Sequence, residues 1–454
     1  MLAQRRVEIL QSTEASRAVT YRRVSAIALP VVLSNALVPL QGVIDTAIIG
    51  NLGDAIFLAA VAMAAGAAGL ILNVFNFLQF GAGALGAQAL GANDPRRVIN
   101  VLARALIIAV GIGVLLILLQ VPIIGGAMLI FEGSPEAESL AATYLHIRLW
   151  GAPAELAIFA LSGWFSGQEL TRRLFEIQAV TVSLNIVLNV FFVLGLGMDV
   201  DGVALGTVIA SYVGFGLGLW RARARMRDLI PEWRPERARL LNRSELLMLM
   251  RLNRDIFIRT MLLAGAFTCA TRLGSMQGDI ILAANGIIFQ ILHLASYGLD
   301  GFAISAEALV GQAVGARDRA FLRRAVIINL VSGLMLSIAM AGLFILIQTP
   351  LIAFFTNVAE VRDVTATYYF WGALFPLVAM LAYVLDGIFV GATQGARMRN
   401  AMIVSAGLYF ACSGAMADIW GNHGIWGAVW FFLVLRGVTL GVQYPAVERQ
   451  ADPR

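Results

Sequence analysis

Residues 29–50 read LPVVLSNALVPLQGVIDTAIIG. The run is apolar over about the 20 residues that a helix needs to cross a bilayer. It contains Pro30 and Pro39 and, near its far end, one carboxylate, Asp45. Proline removes a backbone donor and crowds the carbonyl four residues earlier, which for Pro39 is that of Asn35. The run therefore reads as a spanning helix broken at the two prolines. A carboxylate in hydrocarbon costs about 2.5–3.5 kcal/mol on insertion scales. A chain tolerates that where the group faces a polar cavity, finds a partner or takes up a proton. Asp45 is thus a candidate coupling residue. The alternative is that it only ends its helix: about 19 residues after Ala26, at 1.5 Å each, it lies roughly 29 Å along, past the midplane.

Outward from this stretch the same character continues. The chain is 59% hydrophobic and only 13% charged, with a mean hydropathy of +0.81; soluble chains average about 25% charged. Apolar runs recur from end to end and are continuous rather than alternating, which argues for helices over a β-barrel. Twelve spans are expected, roughly 24–50, 57–81, 98–121, 141–166, 174–196, 202–220, 256–274, 280–303, 324–347, 366–391, 398–418 and 424–446. The expected class is an all-α integral membrane protein. Its expected parts are an N-terminal arm (1–23), a first lobe (24–220), a linker (221–255), a second lobe (256–446) and a tail (447–454). No cleavable-signal pattern precedes the first span.

All 33 basic residues are arginine. With the N-terminus inside, twenty-eight of them fall on one side, ten between Arg221 and Arg254 alone. The opposite side has Arg272 and Arg362, and its loops carry Asp54, Glu132, Glu136, Glu138, Asp199 and Asp201. That asymmetry places both termini and the linker in the cytoplasm. The basic linker is read as a connector that sets topology; resting on anionic lipid is compatible with it. The net charge of +5 does not indicate nucleic acid.

The two halves repeat. Residues 87–94, AQALGAND, align with 311–318, GQAVGARD, and 161–167, LSGWFSG, with 385–391, LDGIFVG; both offsets are 224. A duplicated unit of six spans keeps its orientation. The two copies should therefore be related by a pseudo-twofold axis along the membrane normal, with a cavity between them.

Further stretches carry a family resemblance: GAQALGANDPRR from Gly86, LNIVLNVFFVLGLGMDVDGVALGTVIA from Leu184, LNRDIFIR from Leu252, LDGFAISAEALVGQAVGARD from Leu299, LDGIFVGATQGARMRN from Leu385 and GNHGIWGAVWFFLVLRG from Gly421. Together with the opening run, this order resembles the multidrug and toxic compound extrusion (MATE) transporters, in particular the DinF branch. The resemblance implies export of small organic, often cationic, compounds by antiport with H⁺ or Na⁺, through alternating access. It implies a bacterial inner-membrane location and a monomer in lipid, and it matches Asp45, Asn185, Asn189 and Thr207 to the family's cation or proton network. Many relatives have a carboxylate where this chain has Asn189, so the ionisable chemistry rests on Asp45.

Other intramembrane polar residues are weaker candidates. Asn35, Gln41, Asn73, Asn76 and Gln79 could line a wet face or make interhelical hydrogen bonds. Arg259, Asp300, Glu307 and Asp386 form a possible charge cluster of the second half, with Arg259 neutralising one or two of the acids. It is read as structural, since a resident arginine competes with a cation. Arg148 and Glu155, seven apart, could pair or line the outer mouth. Cys269 and Cys412 lie in apolar runs and read as packing residues. There is no HExxH, no Walker loop and no CxxC, so an enzyme, a metal centre, an organic cofactor and ATP-driven transport are not expected.

Overall fold

The computed structural model describes residues 18–50, 55–130, 134–231 and 242–453. Most of the N-terminal arm, with Arg5, Arg6 and Arg17, the loop acids Asp54 and Glu132, and the heart of the linker lie outside them. Among the described residues all regular structure is helical. We number the helices α1 Tyr21–Gly50, α2 Ala55–Asn73, α3 Phe77–Gly91, α4 Pro95–Leu118, α5 Gln120–Met128, α6 Pro135–Arg148, α7 Ala152–Gly167, α8 Thr171–Val190, α9 Val200–Leu229, α10 Arg243–Ser275, α11 Asp279–Ala316, α12 Arg319–Leu346, α13 Gln348–Phe355, α14 Ala359–Ala373, α15 Phe375–Gly391 and α16 Gly395–Glu448. Ten helical stretches among the described residues are long and apolar enough to cross a membrane.

Two sequence expectations change here. The prolines do not break α1, which runs without interruption through Pro30 and Pro39. Each proline removes one ladder bond, and a helix can absorb that as a bend. The Ser34 hydroxyl donates to the Pro30 carbonyl at 2.8 Å. Several helices also outrun their expected spans: α3 continues to Gly91 and α11 to Ala316. Hydropathy marks the hydrocarbon, whereas a helix continues until a cap stops it. After α3 and α11 the stops are Asn93 and Arg317, both with positive φ, each followed by an aspartate that caps the next helix. Asp94 accepts from the Arg97 amide and Asp318 from the Phe321 amide.

The duplication is written into the backbone. The left-handed residues Asn93 and Arg317, Glu169 and Thr393, and Gly197 and Gly421 are three pairs, each 224 residues apart. The glycines of the repeated motif explain its conservation between the halves. A Cβ on Gly163 would lie 1.8 Å from the Gln79 carbonyl, and one on Gly387 would lie 2.0 Å from the Ala303 carbonyl. Gly167 meets Gly83 in the same way as Gly391 meets Glu307, each at 2.3 Å. Only glycine lets α7 approach this part of the α2–α3 segment, and α15 approach α11, so closely.

By contacts the chain forms two compact units. Of the described residues, one comprises those within Pro30–Leu90 and Asp94–Met261; the other comprises those up to Leu29, Gly91–Asn93 and those from Leu262. We call them the N-unit and the C-unit. The division falls inside α1 and α10, not in the linker. Within the C-unit, Val24 and Ile27 pack with Leu309, Ala325 and Ile328. Within the N-unit, Met248 and Leu249 pack with Leu85 and Val101. Each copy of the repeat thus has the start of its first helix seated in the other unit.

Candidate functional site

In the N-unit, α8 and α9 are joined by a short turn after a π-helical segment, Phe191–Gly195. Their pairing sets the polar residues of α8 against α9. Asn185 and Asn189 are one turn apart on α8 and fully buried, and Thr207 is buried on α9. Asn189 Nδ2 donates to Asp45 Oδ1 at 2.7 Å and to Asn185 Oδ1 at 3.3 Å. Asn185 Nδ2 donates to Thr207 Oγ1 at 2.8 Å, and that hydroxyl donates to the Val203 carbonyl at 2.8 Å. The four residues singled out from sequence therefore form one hydrogen-bonded chain, with Asp45 as its open, half-buried end.

Two details shape its chemistry. Asn189 Oδ1 is buried and has no hydrogen-bond partner among the described residues. It sits against Gly206, where a Cβ would lie 2.2 Å away. Asn189 thus offers Asp45 a donor while holding an acceptor in reserve. Beyond Thr207 the polar path continues. Ser211 Oγ lies 2.9 Å from the Thr207 carbonyl and 3.0 Å from Glu155 Oε1, and Glu155 accepts from Arg148 Nη1. Sequence reasoning paired Arg148 with Glu155 only as an option and missed Ser211. The available signal was its position one turn after Thr207 on an apolar helix.

The second copy of the repeat holds the same geometry with different chemistry. The positions 224 residues after Asp45 and Asn189 are Cys269 and Ser413. Their side chains also meet, Sγ to Oγ at 3.8 Å. The contact is duplicated; the carboxylate is not.

Among the C-unit charges, one acid has a partner that spacing does not reveal. Asp386 Oδ2 accepts from Arg436 Nη2 at 2.6 Å, with both residues buried. Arg436 also lies over the Phe432 ring at 5.6 Å. Arg259 belongs by contacts to the N-unit. The sequence reading left Arg436 unassigned because 50 residues separate it from Asp386. Glu307 is buried against α15 and Asp300 is half-buried on α11. Of the remaining candidates, Asn73 is exposed, while Asn35, Gln41, Asn76 and Gln79 are half-buried. A 3₁₀ turn, Val74–Asn76, interrupts the helix among the last of them. Among the described residues, no group of three or more His, Cys, Asp or Glu could hold a metal ion.

Comparison with known proteins gives a consistent picture. The MatE family model matches residues 30–191 and 256–413. The chain is 37% identical over 429 residues to the DNA damage-inducible protein F of Escherichia coli K12, covering 91% of this chain and 90% of that one. It is 28% identical over 385 residues to "Probable multidrug resistance protein NorM" of Bradyrhizobium diazoefficiens, covering 81% of this chain and 79% of that one. Its fold matches a crystal structure of the Vibrio cholerae MATE transporter VcmN in the bent form. There the TM-score is 0.83 at 18% identity, over 95% of this chain and 97% of the other.

Proposed function

Because this chain belongs to the MATE family of membrane transporters, we propose that it is a secondary active exporter of amphipathic organic compounds, driven by proton antiport at Asp45. The observation that carries the reading is the 2.7 Å bond from Asn189 to Asp45. It ties the sole ionisable member of the four-residue chain to the fully buried α8 amides. In the low-dielectric interior the bare carboxylate is costly. A proton, a cation or a cationic substrate relieves that cost, and one carboxylate cannot serve two of them well. That competition is the minimum for exchange. Asn189 suits both states of Asp45. Its amide donates to the carboxylate, and rotated about its last torsion it offers the buried Oδ1 to the neutral acid.

Alternating access is supported by the duplication. Twelve crossings in two six-helix lobes, related about the membrane normal, account for it. Ten come from the long apolar stretches, with two breaks completing the count. Gly421, at φ 56° and ψ −137°, divides the stretch that includes α16, and a 3₁₀ turn at Leu149–Gly151 splits the 135–167 crossing into α6 and α7. The arginine distribution supports both termini in the cytoplasm of a bacterium.

The test is efflux from proteoliposomes under an imposed pH gradient, with wild type beside Asp45→Asn. Gradient-driven efflux is expected from the wild type alone; equal efflux from both would sink the coupling role. Efflux that follows a Na⁺ gradient and ignores pH would assign sodium instead. A lipid or oligosaccharide flippase is the alternative within the wider superfamily. It is disfavoured by the few arginines deep in the expected spans: only Arg104, Arg148 and Arg436 lie more than one turn from a span end.

A further inference from the structure

The N-unit has a groove of about 660 Å³ between α4 and α9; its α9 residues begin at Leu219, twelve residues beyond Thr207 of the Asp45 chain. Its floor and walls are apolar: Ile99, Leu102 and Leu106 from α4, and Leu219 and Met226 from α9. Its mouth carries Arg223 and Arg227, one turn apart on α9 and both exposed. Neither makes an ion pair with any described residue. Just above them, Trp220 is exposed, with the Arg221 guanidinium 4.6 Å from its ring. A tryptophan followed by arginines marks the level at which a helix leaves hydrocarbon for headgroups.

The repeat supplies an internal comparison. Shifted by 224 residues, α4 becomes α12 and α9 becomes the end of α16. There the corresponding helices are stitched together by charge. Arg319 pairs with Glu448 and Asp452, and Arg323 pairs with Glu448, at 2.9–3.0 Å. The residue 224 before Glu448 is Ala224. In the N-unit the central acid is replaced by Ala224, while Asp452 has its counterpart in Asp228; the positions of Arg319 and Arg323 are taken by Pro95 and Ile99, and among the described residues no ion pair spans the groove between Arg223, Arg227 and α4.

We propose that this groove binds one anionic phospholipid of the leaflet on the arginine-rich side. The phosphate would sit between Arg223 and Arg227 and an acyl chain would lie along Leu102, Leu106 and Leu219. Two guanidiniums without an ion pair among the described residues supply the charge complement for a phosphate. The apolar trough opens toward the depth at which acyl chains begin. Basic pockets between membrane helices on that side are suited to anionic headgroups. A free phosphate would find the arginines but leave the trough unused, so the occupant is the whole lipid. Bound there, the lipid would bridge α4 and α9 as the ion pairs bridge α12 and α16.

The test is native mass spectrometry of the full-length protein in detergent, titrated with phosphatidylglycerol and, separately, with phosphatidylcholine. Wild type should retain phosphatidylglycerol preferentially. Arg223→Gln/Arg227→Gln should lower that retention by about tenfold or more, since each basic residue near an anionic lipid counts substantially. Ala103→Trp fills the trough without changing charge and should also abolish retention. Arg172→Gln/Arg397→Gln removes the same charge elsewhere on the same side and should leave retention unchanged. Equal retention by the groove variant and wild type would overturn the proposal, as would equal loss in the control. Displacement by glycerophosphoglycerol, which has the headgroup without chains, at the concentration of the lipid would also count against it. So would a gain in lipid retention on deleting residues 232–241, because it would show that the linker is the natural occupant.

Discussion

Asp45 takes its chemical setting from Asn189, and Asn189 takes its position from Gly206. The amide oxygen lies where a Cβ on residue 206 would be, 2.2 Å away. Gly206→Ala should therefore push the amide off Asp45, at an overpacking cost of about 1–3 kcal/mol. The expected outcome is a lower thermal midpoint together with weakened gradient-driven efflux. Gly216 lies on the same helix and faces open space. Gly216→Ala should leave efflux intact and hold or raise the midpoint, since alanine gains about 1 kcal/mol over glycine in a helix. A Gly206→Ala protein with unchanged efflux would show that the Asn189–Asp45 bond is not needed for coupling. Asp45→Cys is the complementary change, because the second copy already pairs a cysteine with Ser413. It should keep the packing and lose pH-driven efflux; retained coupling would mean that the proton is carried elsewhere.

At the scale of helices, the close approach of α7 to the Gln79 carbonyl and of α15 to Ala303 is one fastening used twice. In each case the obstructing atom is a backbone carbonyl, which cannot swing aside as a side chain can. Gly163→Ala and Gly387→Ala should both destabilise, each by about 1–3 kcal/mol or more, in thermal unfolding of the detergent-solubilised protein. A loss at one position and none at the other would refute a shared role. The motif around these glycines was visible as a sequence repeat, but its purpose was not. Spacing alone does not say that two helices touch through backbone.

For the whole molecule, the departures from the repeat are as informative as the matches. Asp386 and Arg436 replace Ser162 and Tyr212 of the first copy, so the ion pair belongs to the second copy alone. We expect it to hold α15 to α16 rather than to couple transport. Removing one member of a buried pair costs about 3–5 kcal/mol, whereas replacing both with apolar residues is often neutral. Arg436→Met should accordingly lower the thermal midpoint sharply. Arg436→Met with Asp386→Leu should restore it with efflux retained. A stable double variant that no longer exports would instead assign the pair to the transport cycle.

The sequence alone determined the membrane class and the duplication, and its resemblance to a transporter family picked out the four residues of the Asp45 chain. Composition, arginine asymmetry and the 224-residue repeat are one-dimensional signals, and helical periodicity puts Asn185 and Asn189 on one face. Tertiary structure decided what periodicity cannot, namely which faces meet. It gave Asp386 a partner in Arg436, because long-range pairing follows helix packing rather than spacing. It carried α1 through both prolines, because one missing bond bends a helix without ending it. It also placed an open groove between α4 and α9 where the second copy has ion pairs, and seated the starts of α1 and α10 in exchanged units. The opening stretch, 29–50, was legible as the place of the carboxylate; its setting beside Asn189, and the reserve acceptor behind it, came only from the fold.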